Sequence, residues 1–285
     1  MSNFRSPSTF PFINLGFIKL PLYGLMIVTG ILSGGAICKR LCSLQNINFY
    51  DFIIISALAG SLGFAGAKLF FLFDYYGASN FFKVLGQMLF HPKTSGLISG
   101  GFVFYGGLLG GFAGYFIGVK IARTGLTTFL NTFAFAIPYV HAFGRIGCFC
   151  AGCCYGIEHH GGFSIAGRFP VQLLEAFFLF VFAFVVLTLI WRRTLRQAQG
   201  PQENHMTQGP QTSLFLLYII FYSMIRFFLE FLRGDEARGR VSFANGLSFS
   251  TSQILSLILF TADLILIIIL LIKKVKNDKV EVKDI

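Results

Sequence analysis

The chain has 285 residues, of which 55% are hydrophobic and only 12% charged, with a mean hydropathy of +0.71. That balance lies outside the range of soluble domains and marks an integral membrane protein with little sequence left for a soluble domain. A formal net charge of +11 is what lysines and arginines flanking membrane spans produce, and without a basic stripe on a soluble fold it excludes nucleic acid as a partner.

Windows of about 20 apolar residues predict an all-α, polytopic membrane protein with about seven transmembrane helices, at roughly 20–38, 52–73, 97–119, 126–146, 171–191, 213–232 and 250–272. The first follows only Arg5 and Lys19, lacks a small-x-small cleavage site and is stopped by Lys39-Arg40, so it reads as an uncleaved helix. Gly100-Gly101, Gly106-Gly107 and Gly110-Gly111 lie in the third span and read as close helix packing; a phosphate-cradling loop needs a strand-to-helix context. Asn131, Pro138 and His141 interrupt the fourth span, which membrane helices tolerate. Residues 192–212, rich in Gln, Gly and Pro, cannot bury a core and predict a flexible cytoplasmic linker. A basic cytoplasmic tail, 273–285, closes a single transmembrane domain spanning 1–285.

Seven spans place the termini on opposite sides. One side receives Lys39, Arg40, Lys120, Arg123, Arg192, Arg193, Arg196, Lys273, Lys274, Lys276, Lys279 and Lys283. The other receives Arg5, Lys19, Lys83, Lys93, Arg168, Arg233, Arg238 and Arg240. Twelve against eight makes the first side cytoplasmic, the amino terminus outside and the carboxyl terminus cytoplasmic.

A charge at the centre of a membrane helix costs roughly 2.5–3.5 kcal/mol on insertion scales, so each one calls for a partner, water or a function. The candidates are Lys68, Arg145, Glu175, Arg226, Glu230 and Asp263. All but Asp263 fall in the outer half of the predicted spans, which points to a shared polar cavity open to the outer leaflet. Snorkelling anchors and structural ion pairs are the alternative for Lys68 and Glu175. Arg226 and Glu230 share a helix face at i, i+4. Three nearby arginines suit phosphate, whose oxygens match the guanidinium fork, and the abundant phosphate of an outer leaflet is a lipid head group.

Four of the six cysteines, Cys148, Cys150, Cys153 and Cys154, fall within seven residues. They read as small apolar packing, as a disulfide on an oxidising side, or as soft metal ligands. The spacing lacks the two separated pairs of zinc sites, and adjacent Cys153 and Cys154 are not expected to point easily at one ion. No metal and no cofactor is therefore assigned.

Several segments carry a resemblance in order along the chain. They are Leu20-Pro-Leu-Tyr-Gly24, Gly66-Ala-Lys68-Leu, Gly100-Gly-Phe-Val-Phe-Tyr-Gly-Gly107, Gly144-Arg-Ile-Gly147 with Gly152 and Gly156, the run 168–176, the run from Tyr222 to Arg233, and Ser252-Gln253. Together they resemble the prolipoprotein diacylglyceryl transferases. The resemblance implies an enzyme of the bacterial inner membrane that moves the diacylglyceryl group of phosphatidylglycerol to the lipobox cysteine of a prolipoprotein, with its active site facing the outer leaflet. It implies that Arg145 binds the lipid phosphate, that Arg226 and Arg233 support it, that Glu230 orients Arg226, that Tyr23 is a functional tyrosine and that Gly156 closes the signature. The chain departs from the family pattern at Tyr105, where histidine is usual, at Cys148, where asparagine is usual, and at Cys153, where an acidic residue is usual.

The implied reaction needs a deprotonated thiol and a stabilised leaving phosphate. A phenol with a pKa of about 10 makes Tyr105 a poor base, so it is expected to donate a hydrogen bond. His141, one helical turn before Arg145, titrates in a better range, and His141 or Glu230 is the expected proton acceptor. The alternative is a relative without transferase activity that binds anionic lipid or acts in thiol redox or metal binding through its four clustered cysteines.

Overall fold

The computed structural model describes residues 12–14, 16, 19–90, 104–199, 213–234, 240–242 and 248–281. These form β1 (Phe12–Asn14), β2 (Lys19–Pro21), α1 (Leu22–Leu44), α2 (Phe49–Phe90), α3 (Phe104–Ile121), α4 (Leu130–Ala151), α5 (Val171–Gln199) and α6 (Ser213–Leu229). A 3₁₀ turn at Glu230–Leu232 follows, then β3 (Arg240–Ser242), β4 (Ser248–Ser250) and α7 (Thr251–Glu281). The strands make two short antiparallel hairpins, β1 with β2 and β3 with β4.

Among the described residues six stretches are long and apolar enough to cross a membrane: Leu22–Leu44, Phe49–Phe73, Leu130–Ala151, Val171–Thr194, Leu214–Leu232 and Thr251–Lys273. The fold is that of an all-α polytopic membrane protein. The expected span 97–119 starts outside the described residues, and its described part is α3. α5 continues through Trp191 to Gln199, so the first part of the expected linker is helical. The rest of it, 200–212, lies outside the described residues.

The chain divides into two compact units. In the unit of residues 46–129, α2 and α3 meet along glycines. A Cβ at Gly66 would strike the Gly106 carbonyl, and one at Gly110 the Leu62 carbonyl. Lipid tails are as apolar as leucine, so helices gain little from hiding apolar side chains from them, and close backbone approach supplies the packing instead. Beyond this contact α2 bends at Gly77, whose φ of 73° is left-handed.

In the unit of residues 1–45 and 130–285, α1 and α4 run antiparallel, and three glycines set their separation. Gly147 lies against Tyr23, Gly30 against Phe143 and Gly34 against Tyr139, each with room for a Cβ of only 3.1 Å or less. Gln45 donates to the Thr132 hydroxyl at 3.1 Å where the pair ends. The other face of α4 packs on α5, with the Tyr139 and Phe143 rings 5.6 and 5.3 Å from Phe180. Ala142, Ala176, Leu179 and Tyr218 form the core where α4, α5 and α6 meet. α7 joins through the Arg226–Ser252 hydrogen bond. This register brings the last turns of α4, the first turns of α5 and the end of α6 to the Tyr23 end of the unit.

A methyl at Gly110 must displace helix backbone, whereas one at Gly35 would meet nothing within 4 Å among the described residues. Gly110→Ala is expected to lower stability by about 2 kcal/mol and Gly35→Ala by less than about 0.5 kcal/mol, read from thermal melts of the detergent-solubilised protein.

Candidate functional site

Glu175 opens the membrane part of α5 and is 1% exposed. A carboxylate so buried must be paired, because its desolvation is otherwise uncompensated. Groups from two neighbouring helices meet one of its oxygens. Arg145 Nη2 of α4 lies 2.9 Å from Oε1, the Tyr222 hydroxyl of α6 donates to it at 3.2 Å, and His141 Nε2 of α4 stands 4.0 Å away. The 3.6-residue period puts His141 and Arg145 on one face of α4, and the His141 ring sits edge-on to Tyr222, centroids 5.2 Å apart.

One turn beyond Tyr222, Arg226 Nη2 lies 2.8 Å from Glu230 Oε2 and donates to Ser252 Oγ of α7 at 3.3 Å. Tyr222, Arg226 and Glu230 therefore stack on one face at the end of α6. Both arginines keep a spare donor, since Arg145 Nε and Arg226 Nη1 are buried and meet no acceptor among the described residues. A buried guanidinium N–H left unpaired is costly, and an anion's oxygens are the chemistry that would satisfy it.

After α4 the chain turns back through Gly152 (φ 69°) and Cys154 (φ 58°). Cys153 N bonds the Cys148 carbonyl at 3.1 Å, and Gln172 Nε2 of α5 ties the turn down at the Cys153 carbonyl, 2.8 Å. The left-handed turn overcomes the expected divergence of adjacent side chains: the Sγ atoms of Cys148, Cys153 and Cys154 lie within 4.8 Å of one another. All are free thiols, and Cys150 is not part of the group. Hydrogen bonds from the Cys148 and Cys153 thiols, with Arg233 beside them, hold the Cys154 thiol well below its ordinary pKa.

Gly156 joins this turn to the end of α6. It forms an antiparallel bridge with Arg233, flanked by Ile157 N to Leu232 O at 3.0 Å and Gly234 N to Tyr155 O at 3.1 Å. A Cβ at Gly156 would collide with the Phe169 carbonyl. The glycine thus acts through backbone contact, and that contact sets Arg233 beside Cys154. Tyr23, half exposed, packs on Gly147 and lies within electrostatic reach of Arg145 and the three thiols.

The unit thus gathers Tyr23, His141, Arg145, Gly156, Arg226, Glu230 and Arg233. Tyr105, in the first turn of α3, and buried Lys68 of α2, whose ammonium lies 5.2 Å from the Phe71 ring centroid, belong to the other unit. Glu175 belongs to the intramembrane charges legible in the sequence, but nothing there marks it as the partner of Arg145, and nothing marks Tyr222, although both lie in the runs that carry the family resemblance. Asp263 is buried in α7, and its Oδ2 makes no hydrogen bond among the described residues. A cavity of about 520 Å³ lined by Leu41, Leu44, Leu187 and Trp191, with Arg40 and Arg192, occupies the opposite end of α1 and α5, about 25 Å along α1 from Tyr23.

The family model described as prolipoprotein diacylglyceryl transferase matches residues 11–269. Proteins named phosphatidylglycerol–prolipoprotein diacylglyceryl transferase are similar along nearly their whole length. The one from Clostridium tetani is 28% identical over 84% of this chain and 89% of its own. That from Prochlorococcus marinus subsp. pastoris is 27% identical over 93% of each chain. The Geobacter sulfurreducens protein is 28% identical over 93% of this chain and 96% of its own.

Removing one partner of a buried ion pair leaves an uncompensated charge. Glu175→Gln is expected to destabilise the protein by about 3 kcal/mol. Glu158→Gln, which breaks a pair with Arg168 on a glutamate 75% exposed, is expected to cost less than about 1 kcal/mol. Parallel thermal melts of the two variants check the contrast.

Proposed function

The chain belongs to the prolipoprotein diacylglyceryl transferase family, and from that premise we propose that it transfers the diacylglyceryl group of phosphatidylglycerol to the thiol of a prolipoprotein's lipobox cysteine. The similar proteins named for this activity support the reading. The observation that carries it on the side of chemistry is the pair of buried arginines whose donors Arg145 Nε and Arg226 Nη1 find no acceptor among the described residues.

In the reaction a thiolate attacks the glycerol carbon that bears the phosphate. The carbon–oxygen bond breaks, its electrons pass to oxygen, and glycerol phosphate leaves. Negative charge grows on the departing phosphate, so fixed guanidinium donors favour the transition state over the ground state. Arg145 binds that phosphate, held in place by Glu175. Arg226, braced by Glu230 and Ser252, supports it, and Arg233 extends the positive field towards Tyr23 and the thiols. Glu230 is engaged with Arg226, which leaves His141 as the better acceptor for the thiol proton. Tyr23 borders the space where the thiol enters.

The loop charges support an orientation with the amino terminus outside, so that the site faces the outer leaflet of the cytoplasmic membrane. An epitope inserted at Gly162 should then be reached by antibody in intact spheroplasts, and one appended after Ile285 only after lysis. The reverse pattern would overturn this topology.

Purified protein mixed with phosphatidylglycerol vesicles and a lipobox peptide should yield a diacylglyceryl thioether; folded protein that makes none overturns the transferase reading. In that assay Arg145→Ala should lower kcat/KM by more than about 100-fold, and Arg145→Lys should restore it only in part, because an ammonium lacks the planar fork. Full activity in His141→Ala would remove the histidine from the mechanism.

A further inference from the structure

The three converging thiols have no part in phosphate binding, and their arrangement is built rather than incidental. Cys154 holds a left-handed φ of 58°, which a residue with a Cβ adopts only under constraint, and Gln172 anchors the turn through the Cys153 carbonyl. Simple apolar packing does not account for this, since Cys153 is exposed. We propose that Cys148, Cys153 and Cys154 form a three-thiolate site for a soft divalent ion of the zinc class, with the fourth position taken by the thiol of the incoming peptide.

The spacing fits the ion. A tetrahedral zinc with sulfurs at about 2.3 Å needs sulfur–sulfur separations of about 3.8 Å, and here all three Sγ atoms already lie within 4.8 Å of one another, so small side-chain rotations close the shell. Three thiolates around a divalent ion carry one net negative charge, and Arg233 stands beside Cys154 to offset it. Among the described residues no fourth ligating side chain joins the group, and three protein ligands with one open position is the pattern of reactive rather than structural zinc. All three thiols lie within electrostatic reach of Tyr23, and Cys148 and Cys154 within reach of Arg145, in the same polar region as the proposed phosphate site.

The assignment of a thiol to the fourth position rests on the transferase reading; the metal site itself does not. On coordination the peptide's S–H bond breaks, a sulfur–metal bond forms, the ion releases a bound water, and the proton passes to His141, the acceptor named in the proposed reaction. No group changes oxidation state. The bound sulfur remains a thiolate at neutral pH, the form that attack on the glycerol carbon requires.

Full-length protein, purified in reductant and stripped with chelator, is titrated with Co²⁺. The expected result is stoichiometric binding with strong thiolate-to-cobalt absorption in the near ultraviolet and the visible bands of a tetrahedral ion, displaced by Zn²⁺. Cys148→Ser and Cys154→Ser should each weaken binding by more than about tenfold, whereas Cys150→Ser, outside the cluster, should bind as the parent does. A lipobox peptide should shift the visible bands, and its serine counterpart should not. Reduced, folded protein without the thiolate-to-cobalt absorption overturns the metal site, as does a disulfide joining two of the three thiols in protein that is fully active without reductant. Bands indifferent to the cysteine peptide overturn the fourth-position assignment. Protein that binds Co²⁺ through these thiols yet forms no thioether sinks the transferase reading and leaves the metal site standing.

Discussion

One oxygen of Glu175 organises this molecule. A carboxylate 1% exposed inside a membrane protein persists as an anion only if cations and donors reach it, and Arg145 and Tyr222 do so from the helices on either side. That demand sets the rotation of α4 against α5 and of α6 against both. Rotating α4 by a quarter-turn would strand Arg145 in an apolar setting, at a cost on the order of the insertion penalty of roughly 2.5–3.5 kcal/mol. The apolar core of Ala142, Ala176, Leu179 and Tyr218 is compatible with several rotations, because lipid and leucine are similar surroundings. The ion pair is compatible with few, so it confers the specificity that burial cannot.

Close backbone approach does the complementary work of setting distances. Gly147, Gly30 and Gly34 let α1 and α4 approach until the Tyr23 and Phe143 side chains fill the seam, which fixes Tyr23 near Arg145. Gly156 does the same between two irregular segments, where a side chain would collide with the Phe169 carbonyl. The bridge it permits brings Arg233 to the cysteine turn. The buried arginines Arg145 and Arg226, proposed to hold the phosphate, and the thiols thus share one end of the unit for two separate reasons, an ion pair for the first and a backbone contact for the second.

Much of the site was legible because α-helical spacing is local geometry. Arg226 and Glu230, four residues apart, pair as that spacing requires, and His141 and Arg145 share a face for the same reason. The weight of Glu175 was not legible, because a partner thirty residues away on another helix depends on helix rotation, which periodicity in so apolar a chain does not specify. The helical start of the linker was missed for a different reason. The composition of 192–212 as a whole is that of a coil, yet Arg192 to Gln199 contains mostly strong helix formers that simply extend α5. The thiol cluster was discounted because adjacent residues in ordinary backbone diverge, and nothing short of the φ of Cys154 reveals the exception.

Membrane residence, the helical class and the family follow from the sequence alone, since hydrophobic runs of spanning length and an ordered series of motifs are properties of the chain itself. So does the presence of charges inside the spans, each of which needs a partner, water or a function. Only the tertiary structure decided which of those charges meet. It also decided that Glu175 outranks Glu230 as the hub, that Gly156 acts by admitting backbone, and that three cysteines converge while the fourth does not. The physical reason is the same in each case: these outcomes depend on helix rotation, backbone separation and a left-handed turn, none of which leaves a periodic trace in the order of amino acids.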